Sequence, residues 1–194
     1  MEMIIATHNK HKVEEFSRIL APLGVTIRTA ELTEAEETGT TFRENAYIKA
    51  KSACDETGLP CIADDSGLSV DALNGEPGVY SARYAPEGQR KLTVLKKLEN
   101  VPEEARGAHF TSAICCVFPN GDVLEAEGYC YGRITHECCG TGGFGYDPIF
   151  LCTEAACSGK TFGEATPAEK DAVSHRGKSL RLFVEKLENY LNKK

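Results

Sequence analysis

The chain has 194 residues, 41% of them hydrophobic and 26% charged, a composition that fits an ordinary globular protein and excludes a disordered one. Lys and Arg number 22 against 29 Asp and Glu, and the net charge of -7 argues against a nucleic-acid partner, which is held by clustered positive charge. No apolar run is long enough to span a membrane, and Met1-Glu2-Met3 enters an apolar strand without a leader, so a soluble, cytoplasmic protein with one domain over residues 1–194 is expected.

Residues 4–7 read as a short apolar strand. From Lys10 the spacing of Val13, Phe16, Leu20 and Leu23 is that of an amphipathic helix, closed by Gly24. Residues 25–29 alternate as a second strand, and an acidic loop occupies 31–39. Thr41 and Glu44 stand three apart before a helical run, the pattern of a capping box, and this helix passes Lys49 and Ala53 to stop near Gly58. Cys61-Ile62-Ala63 is a brief buried strand ending in Asp64-Asp65-Ser66-Gly67, with strand-like alternation resuming over 68–73. Residues 89–100 are helical in pattern, and 108–118 and 123–134 are strands joined at Asn120-Gly121, a strong hairpin signal. A glycine-rich loop at 140–145 leads to a strand at 148–151, and a last helix at 174–191 carries Leu180, Phe183, Val184, Leu187 and Leu191 on one face. Strands alternating with helices, and a hairpin in the middle, predict an α/β fold on a mixed sheet flanked by helices. The nine cysteines are odd in number and include no C-x-x-C pair, so they are expected as small buried hydrophobes rather than disulfides or zinc ligands.

Four segments carry residues suited to chemistry. Thr7-His8-Asn9-Lys10-His11-Lys12 lies between the first strand and the first helix, where free backbone N–H groups suit a phosphate, although a polar helix start is also an ordinary cap. Asp64-Asp65 places two acids side by side at a buried strand end, which fits either a magnesium ion or a turn built on Asp-Ser-Gly. Glu36, Glu37 and Glu44 supply further acids that equally serve as caps or solvated charges. The loop from Gly140 to Asp147 holds Phe144 and Tyr146 among glycines, which suits base stacking or a tight turn with core aromatics. Lys170 with Ser174-His175-Arg176 adds donors, and a guanidinium, which only donates, favours a 6-oxo purine over a 6-amino one, although taken singly such residues are more often a helix cap and surface charges.

Taken in order, Ala6-Thr7-x-Asn9-x-x-Lys12, Thr41-Phe42-x-Glu44-Asn45-Ala46, Ala63-Asp64-Asp65-Ser66-Gly67-Leu68, the run from Pro77 to Tyr84, the run from Gly140 to Pro148, and Ser174-His175-Arg176 closely resemble the inosine triphosphate pyrophosphatase family, the non-canonical purine NTP pyrophosphatases. The resemblance covers almost the whole chain. It implies a two-lobed α/β fold with an elongated mixed sheet and a central substrate cleft, a homodimer, and magnesium-dependent hydrolysis of ITP, dITP and XTP to the monophosphate and pyrophosphate. It implies that Thr7, His8, Asn9, Lys10, His11 and Lys12 form the triphosphate turn. Glu36 and Asp65 match the metal positions, with Asp65 also the proton acceptor and Asp64 and Glu44 in support. Lys49, Ser66 and Arg83 match substrate contacts, and Phe144, Gly145, Tyr146, Asp147, Lys170, His175 and Arg176 the surroundings of the purine. The sequence departs from the pattern in carrying His8 and His11 where many members have glycine. Alternatives are a phosphohydrolase of the related septum-inhibitor-like family, acting on pyrimidine or modified-base triphosphates, and a nucleotide-binding module without turnover.

Overall fold

The computed structural model describes residues 1–157 and 159–193, and the side chains of His11 and Glu15 lie outside the description. Six strands, β1 (Glu2–Ile5), β2 (Thr26–Arg28), β3 (Cys61–Val70), β4 (Gly107–Val117), β5 (Val123–Ile134) and β6 (Phe150–Cys152), form one sheet in the order β2-β1-β3-β4-β5-β6. β1 runs parallel to β2 and to β3, whereas β5 and β6 pair antiparallel, so the sheet is mixed, as the sequence pattern predicts. Among the described residues the α-helices are α1 (Lys10–Leu20), α2 (Phe42–Thr57), α3 (Arg90–Lys97), α4 (Pro167–Val173) and α5 (His175–Leu191). The chain divides into two compact units, one of Met1–Asp65, Ser112–Glu127 and Ser179–Lys194, the other of Ser66–Thr111 and Gly128–Lys178.

In the first unit, strand alternation sorts side chains onto two faces. Met3, Ile5, Ile62, Ile114 and Cys116 pack with Phe16 and Leu20 of α1 and with Leu180, Phe183 and Leu187 of α5. Ile4, Cys61, Ala63, Ala113, Cys115 and Val117 meet Ala46, Ala50, Ala53 and Cys54 of α2 on the other face. A sheet covered on both faces explains why its strands read as near-continuous apolar runs. Small residues along α2 let that helix lie close to the strands. Its start is fixed by the capping box, Thr41 accepting from the Glu44 N–H and Glu44 accepting in return, and its end by Gly58 at φ 66°. The hairpin turn also forms as the sequence suggests, with the Gly121 N–H on the Phe118 carbonyl at 2.9 Å.

The second unit is built on an aromatic cluster. Phe110 lies 4.7 Å from Phe150 and 6.0 Å from Phe162 by ring centroids. Beside it Arg106 is 1% exposed and donates to the carbonyls of Leu98, Val101, Ile134 and Thr135 at 2.7–3.2 Å. One guanidinium thereby supplies a donor to four backbone carbonyls, that of Leu98 also accepting from the Val101 N–H at 3.0 Å.

Four elements differ from the sequence reading. α1 stops at Leu20 and tightens into a 3-10 turn, Ala21–Leu23, because Pro22 withholds the N–H that an α-helix needs. β3 runs unbroken through Asp64-Asp65-Ser66-Gly67, where one strand was expected to end, and it stops at Val70, with a 3-10 turn at Asp71–Leu73 in place of the strand expected to 73. The Asp64 carboxylate takes partners from distant elements instead of its own backbone, so the local turn has no advantage. The strand expected at 148–151 begins at Phe150, after a 3-10 turn at Asp147–Ile149. α4 was not anticipated, yet Thr166-Pro167 with Glu169 forms a second capping box.

Ala50→Leu overpacks the α2 face and is expected to cost about 1–3 kcal/mol. The readout is a lower urea midpoint with an unchanged m-value, and an unchanged midpoint would show that the interface has room. At α4, the Lys160 ammonium and the Thr166 donors hold the Glu169 carboxyl down at about 2. A lowered carboxyl stabilises the fold above its ordinary range near 4.5, and the contribution is lost as pH falls through about 2. Carbon-13 titration should place the Glu169 midpoint well below that of a free glutamate, and Lys160→Met should raise it.

Candidate active site

The first unit gathers two acids and two lysines about one peptide. Asp64 and Asp65 are neighbours on β3, so their side chains leave on opposite faces. Asp64 turns to the face that carries α1 and α5. There its buried carboxylate meets Lys12 Nζ at 2.5 Å, and Ser112 of β4 donates to it at 2.6 Å. Ser112 and Ser179 of α5 share a hydrogen bond of 2.8 Å, which extends the network. Asp65 turns to the α2 face, where its Oδ1 accepts from Lys49 Nζ at 2.8 Å. Both ammonium groups also reach the Asp64 carbonyl, at 3.4 Å from Lys12 and 3.2 Å from Lys49. Glu37 of the acidic loop is a third partner of Lys49, its Oε1 lying 3.0 Å from the ammonium.

These contacts set the charge states. Burial pushes the Asp65 carboxyl up from its ordinary value, Lys49 draws it back, and the charges of Glu37 and Asp64 add to the rise. Burial alone would lower the Lys49 ammonium, but Asp65 and Glu37 outweigh it and leave it raised. Lys49 therefore stays charged while Asp65 is a stronger proton acceptor than an exposed carboxylate. The other Asp65 oxygen, Oδ2, is buried and has no partner among the described residues.

The turn before α1 is ordered by its own polar groups. Thr7 Oγ1 accepts from the Asn9 N–H at 3.2 Å, and Asn9 Oδ1 accepts from the Lys12 N–H at 3.4 Å. His8, Asn9 and Lys10 are exposed, whereas Lys12 is half-buried, and the His11 side chain is outside the described residues. Glu36 is also exposed, and its neighbour Glu37 makes the contact to Lys49. Glu44 is engaged as a cap: it accepts from the Thr40 N–H at 2.7 Å, the Thr40 hydroxyl at 2.9 Å and the Thr41 N–H at 3.0 Å. The Thr40 hydroxyl and these backbone donors hold its carboxyl below the usual range.

No group of three or more His, Cys, Asp or Glu side chains that could hold a metal occurs among the described residues. Magnesium asks for less, commonly one or two carboxylates completed by phosphate oxygens and water. The open Oδ2 of Asp65 is a hard anionic donor of that kind, so the residues present fit the ion.

The second unit holds a different set. His175 is buried and stacked on Phe110, with ring centroids 4.7 Å apart and planes 12° from parallel. Arg176 Nη2 donates to Ser66 Oγ at 3.1 Å. Buried Asp147 pairs with Lys170 Nζ at 2.6 Å and accepts from the Phe144 N–H at 2.7 Å. The Lys170 ammonium lies 5.0 Å from the Phe144 ring centroid. Gly143, at φ +69°, is required here, since a Cβ would come within 2.1 Å of Asp147 Oδ2. Tyr146 turns into the core and donates to the Ser81 carbonyl at 2.9 Å, so of the two loop aromatics Phe144 alone offers a ring to solvent. Gly145, at φ +61°, completes the turn between them. Arg83 is exposed and its guanidinium rests 5.0 Å over the Tyr80 ring.

The structure thus brings Lys12, Lys49, Asp64 and Asp65 together in one unit, and Phe144, Asp147 and Lys170 together in the other. Ser112, Ser179 and Phe110 were missed by sequence reasoning. The available signal was a polar pair, Thr111-Ser112, at the centre of a buried strand, where burial demands a partner.

A model of the Ham1 family matches residues 3–186. The dITP/XTP pyrophosphatase of Mycolicibacterium paratuberculosis is 46% identical over 197 residues, spanning 96% of this chain and 95% of its own. That of Bacillus licheniformis is 47% identical over 188 residues, spanning 93% and 94%. Among solved structures, the Ham1 protein of Staphylococcus aureus superposes with a TM-score of 0.89 at 36% identity, over 98% of this chain and 100% of its own. The Ham1 protein of Coxiella burnetii gives 0.88 at 38% identity, with 100% of each chain covered.

Lys12→Met would leave the Asp64 carboxylate buried without its cation, at an expected cost of about 3–5 kcal/mol. Adding Asp64→Asn should recover part of that loss. Urea unfolding of the two variants measures it, and a double variant no more stable than Lys12→Met would refute the pairing argument.

Proposed function

We propose that this chain, which belongs to the Ham1 family, hydrolyses the non-canonical purine triphosphates dITP, XTP and ITP to the monophosphate and pyrophosphate, with magnesium and as a homodimer. The observation that carries the reading is Asp65, a carboxylate of raised basicity with one oxygen on Lys49 and the other buried and open. Relatives that bear the name dITP/XTP pyrophosphatase support the substrate class.

Triphosphate hydrolysis asks a protein mainly for positioning and charge. Around the Asp64-Asp65 peptide, Lys12 is balanced by Asp64, and Lys49 faces both Asp65 and Glu37. The cluster is therefore net negative and repels a polyphosphate by itself. Magnesium, when bound, would supply the missing positive charge. Asp65, with Glu36 on the adjacent loop, is the proposed holder of that ion. Lys12, Lys49 and the N–H groups of the turn from Thr7 to Lys12 would take the phosphates. Asp65 would accept a proton from the attacking water directed at the α-phosphorus, a role its raised pKa suits.

The residues of the second unit suit the base. Lys170 and Arg176 present donors and no acceptors, which match a 6-oxo group and meet a 6-amino group donor to donor. A site that leaves a polar group unpaired against the wrong base discriminates strongly. Phe144 offers a ring face for stacking.

The test is incubation with magnesium and each of ITP, dITP, XTP, ATP, GTP and dTTP, with product identification. Pyrophosphate from the first three and little from the others is expected, and no turnover of any would sink the proposal. Asp65→Asn should reduce kcat at least about a thousandfold with folding retained, since it removes base and ligand together. Arg176→Ala should narrow the ITP-to-ATP ratio of kcat/KM by about tenfold or more. Sedimentation equilibrium reads the dimer.

A further inference from the structure

Seven of the nine thiols are buried, while Cys138 is exposed and Cys139 partly so. Burial pushes the Cys115 thiol up to about 12 and the Cys157 thiol to about 11, so these two are poor nucleophiles. The two that reach solvent are consecutive in the chain. Two sulfurs tethered through one peptide present a very high effective concentration to any centre that can bond to both.

No third His, Cys, Asp or Glu side chain joins the pair in a metal-holding group among the described residues. That excludes the tetrahedral, four-ligand arrangement of a structural zinc. It leaves the chemistry of an electrophile that needs two sulfurs only. Burial, with the carboxylates of Glu164 and Glu137, keeps the Cys139 thiol protonated, which disfavours attack as a thiolate but not a condensation that releases water.

The pair also sits where occupancy has a structural effect. The Cys139 N–H donates to the Pro148 carbonyl at 2.8 Å, and Thr161 Oγ1 donates to the Cys139 carbonyl at 2.7 Å. Next in the chain, Gly140 packs so closely that a Cβ would stand 2.2 Å from the Gly163 carbonyl. Gly142 then donates to that carbonyl at 2.8 Å. Cys139 is thus the first anchor of the glycine loop that ends at Phe144 and Asp147. Its thiol donates to the Glu137 carbonyl at 3.8 Å.

We propose that Cys138 and Cys139 form a vicinal dithiol site that one trivalent arsenical bridges, and that bridging loosens the anchor of the glycine loop. In the step, an arsenic–oxygen unit condenses with two thiols. Two As–S bonds form, the oxygen leaves as water with both thiol protons, and arsenic stays trivalent. The inference stands apart from the proposed hydrolysis.

Native full-length protein is treated with phenylarsine oxide and weighed by intact-mass spectrometry. One phenylarsenic per chain is expected, with two protons lost, resistant to excess glutathione and removed by 2,3-dimercaptopropanol. Cys138→Ser and Cys139→Ser should each abolish the glutathione-resistant adduct, and Cys54→Ala should keep it. No resistant adduct on the native protein, or one that persists in both serine variants, overturns the site. Hydrogen exchange of the Cys139, Gly142 and Phe144 amides should quicken about tenfold in the adduct, and unchanged exchange there overturns the link to the loop.

Discussion

Asp64 carries a carboxylate out of water, a position that costs several kcal/mol unless cation and donors meet it. Lys12 comes to it from α1, Ser112 from β4, and Ser179 stands behind Ser112 on α5, so one charge draws three elements of the first unit onto one face of β3. The next residue along the strand inherits the opposite face by geometry alone. Asp65 therefore meets α2 and Lys49, with an oxygen to spare. Two adjacent acids of the same type are divided by strand alternation into a paired one and one with an open oxygen. That division depends on β3 running straight through a sequence that looks like a turn.

Legibility followed the range of the interactions. The α2 capping box, the glycine stop at Gly58 and the hairpin at Asn120-Gly121 are local devices, and each is visible in the sequence as it is in the structure. The continuity of β3 was hidden because the partners that favour it lie on other elements, and no local pattern reports them. The same holds for Ser112 and Ser179, ordinary serines until two strands and a helix bring them to one carboxylate. Lys49 could be named from its motif, but not its pairing with Glu37, since the acidic loop has no periodicity to fix which glutamate faces inward. Tyr146 stood between two readings, base stacking and a tight turn with core aromatics, and the structure buries its ring with a hydrogen bond to the Ser81 carbonyl. α4, in contrast, carried a readable signal in Thr166, Pro167 and Glu169.

The charge pattern also separates what the two units are asked to do. In the first, Asp64, Asp65 and Glu37 outnumber Lys12 and Lys49, an arrangement that on the proposed reading would take a polyanion only in company with a cation. In the second, Asp147 serves to fix Lys170, and Phe144 and His175 add flat surfaces beside donors. On the proposed reading, discrimination between purines at position 6 would rest on hydrogen-bond polarity, supplied by fixed donors of this kind.

Arg106 binds no side-chain acid through its four contacts, only main-chain carbonyls from Leu98, Val101, Ile134 and Thr135. Carbonyls persist whatever residue occupies those positions. The position is thus isolated from compensatory evolution: no second-site change of side chain can relieve the loss of the guanidinium by removing its partners. A lysine has three donors on one nitrogen and cannot span acceptors spread over a planar fork. Lineages of this fold that carry the same arrangement have a site where drift is closed in both directions, held by the backbone itself.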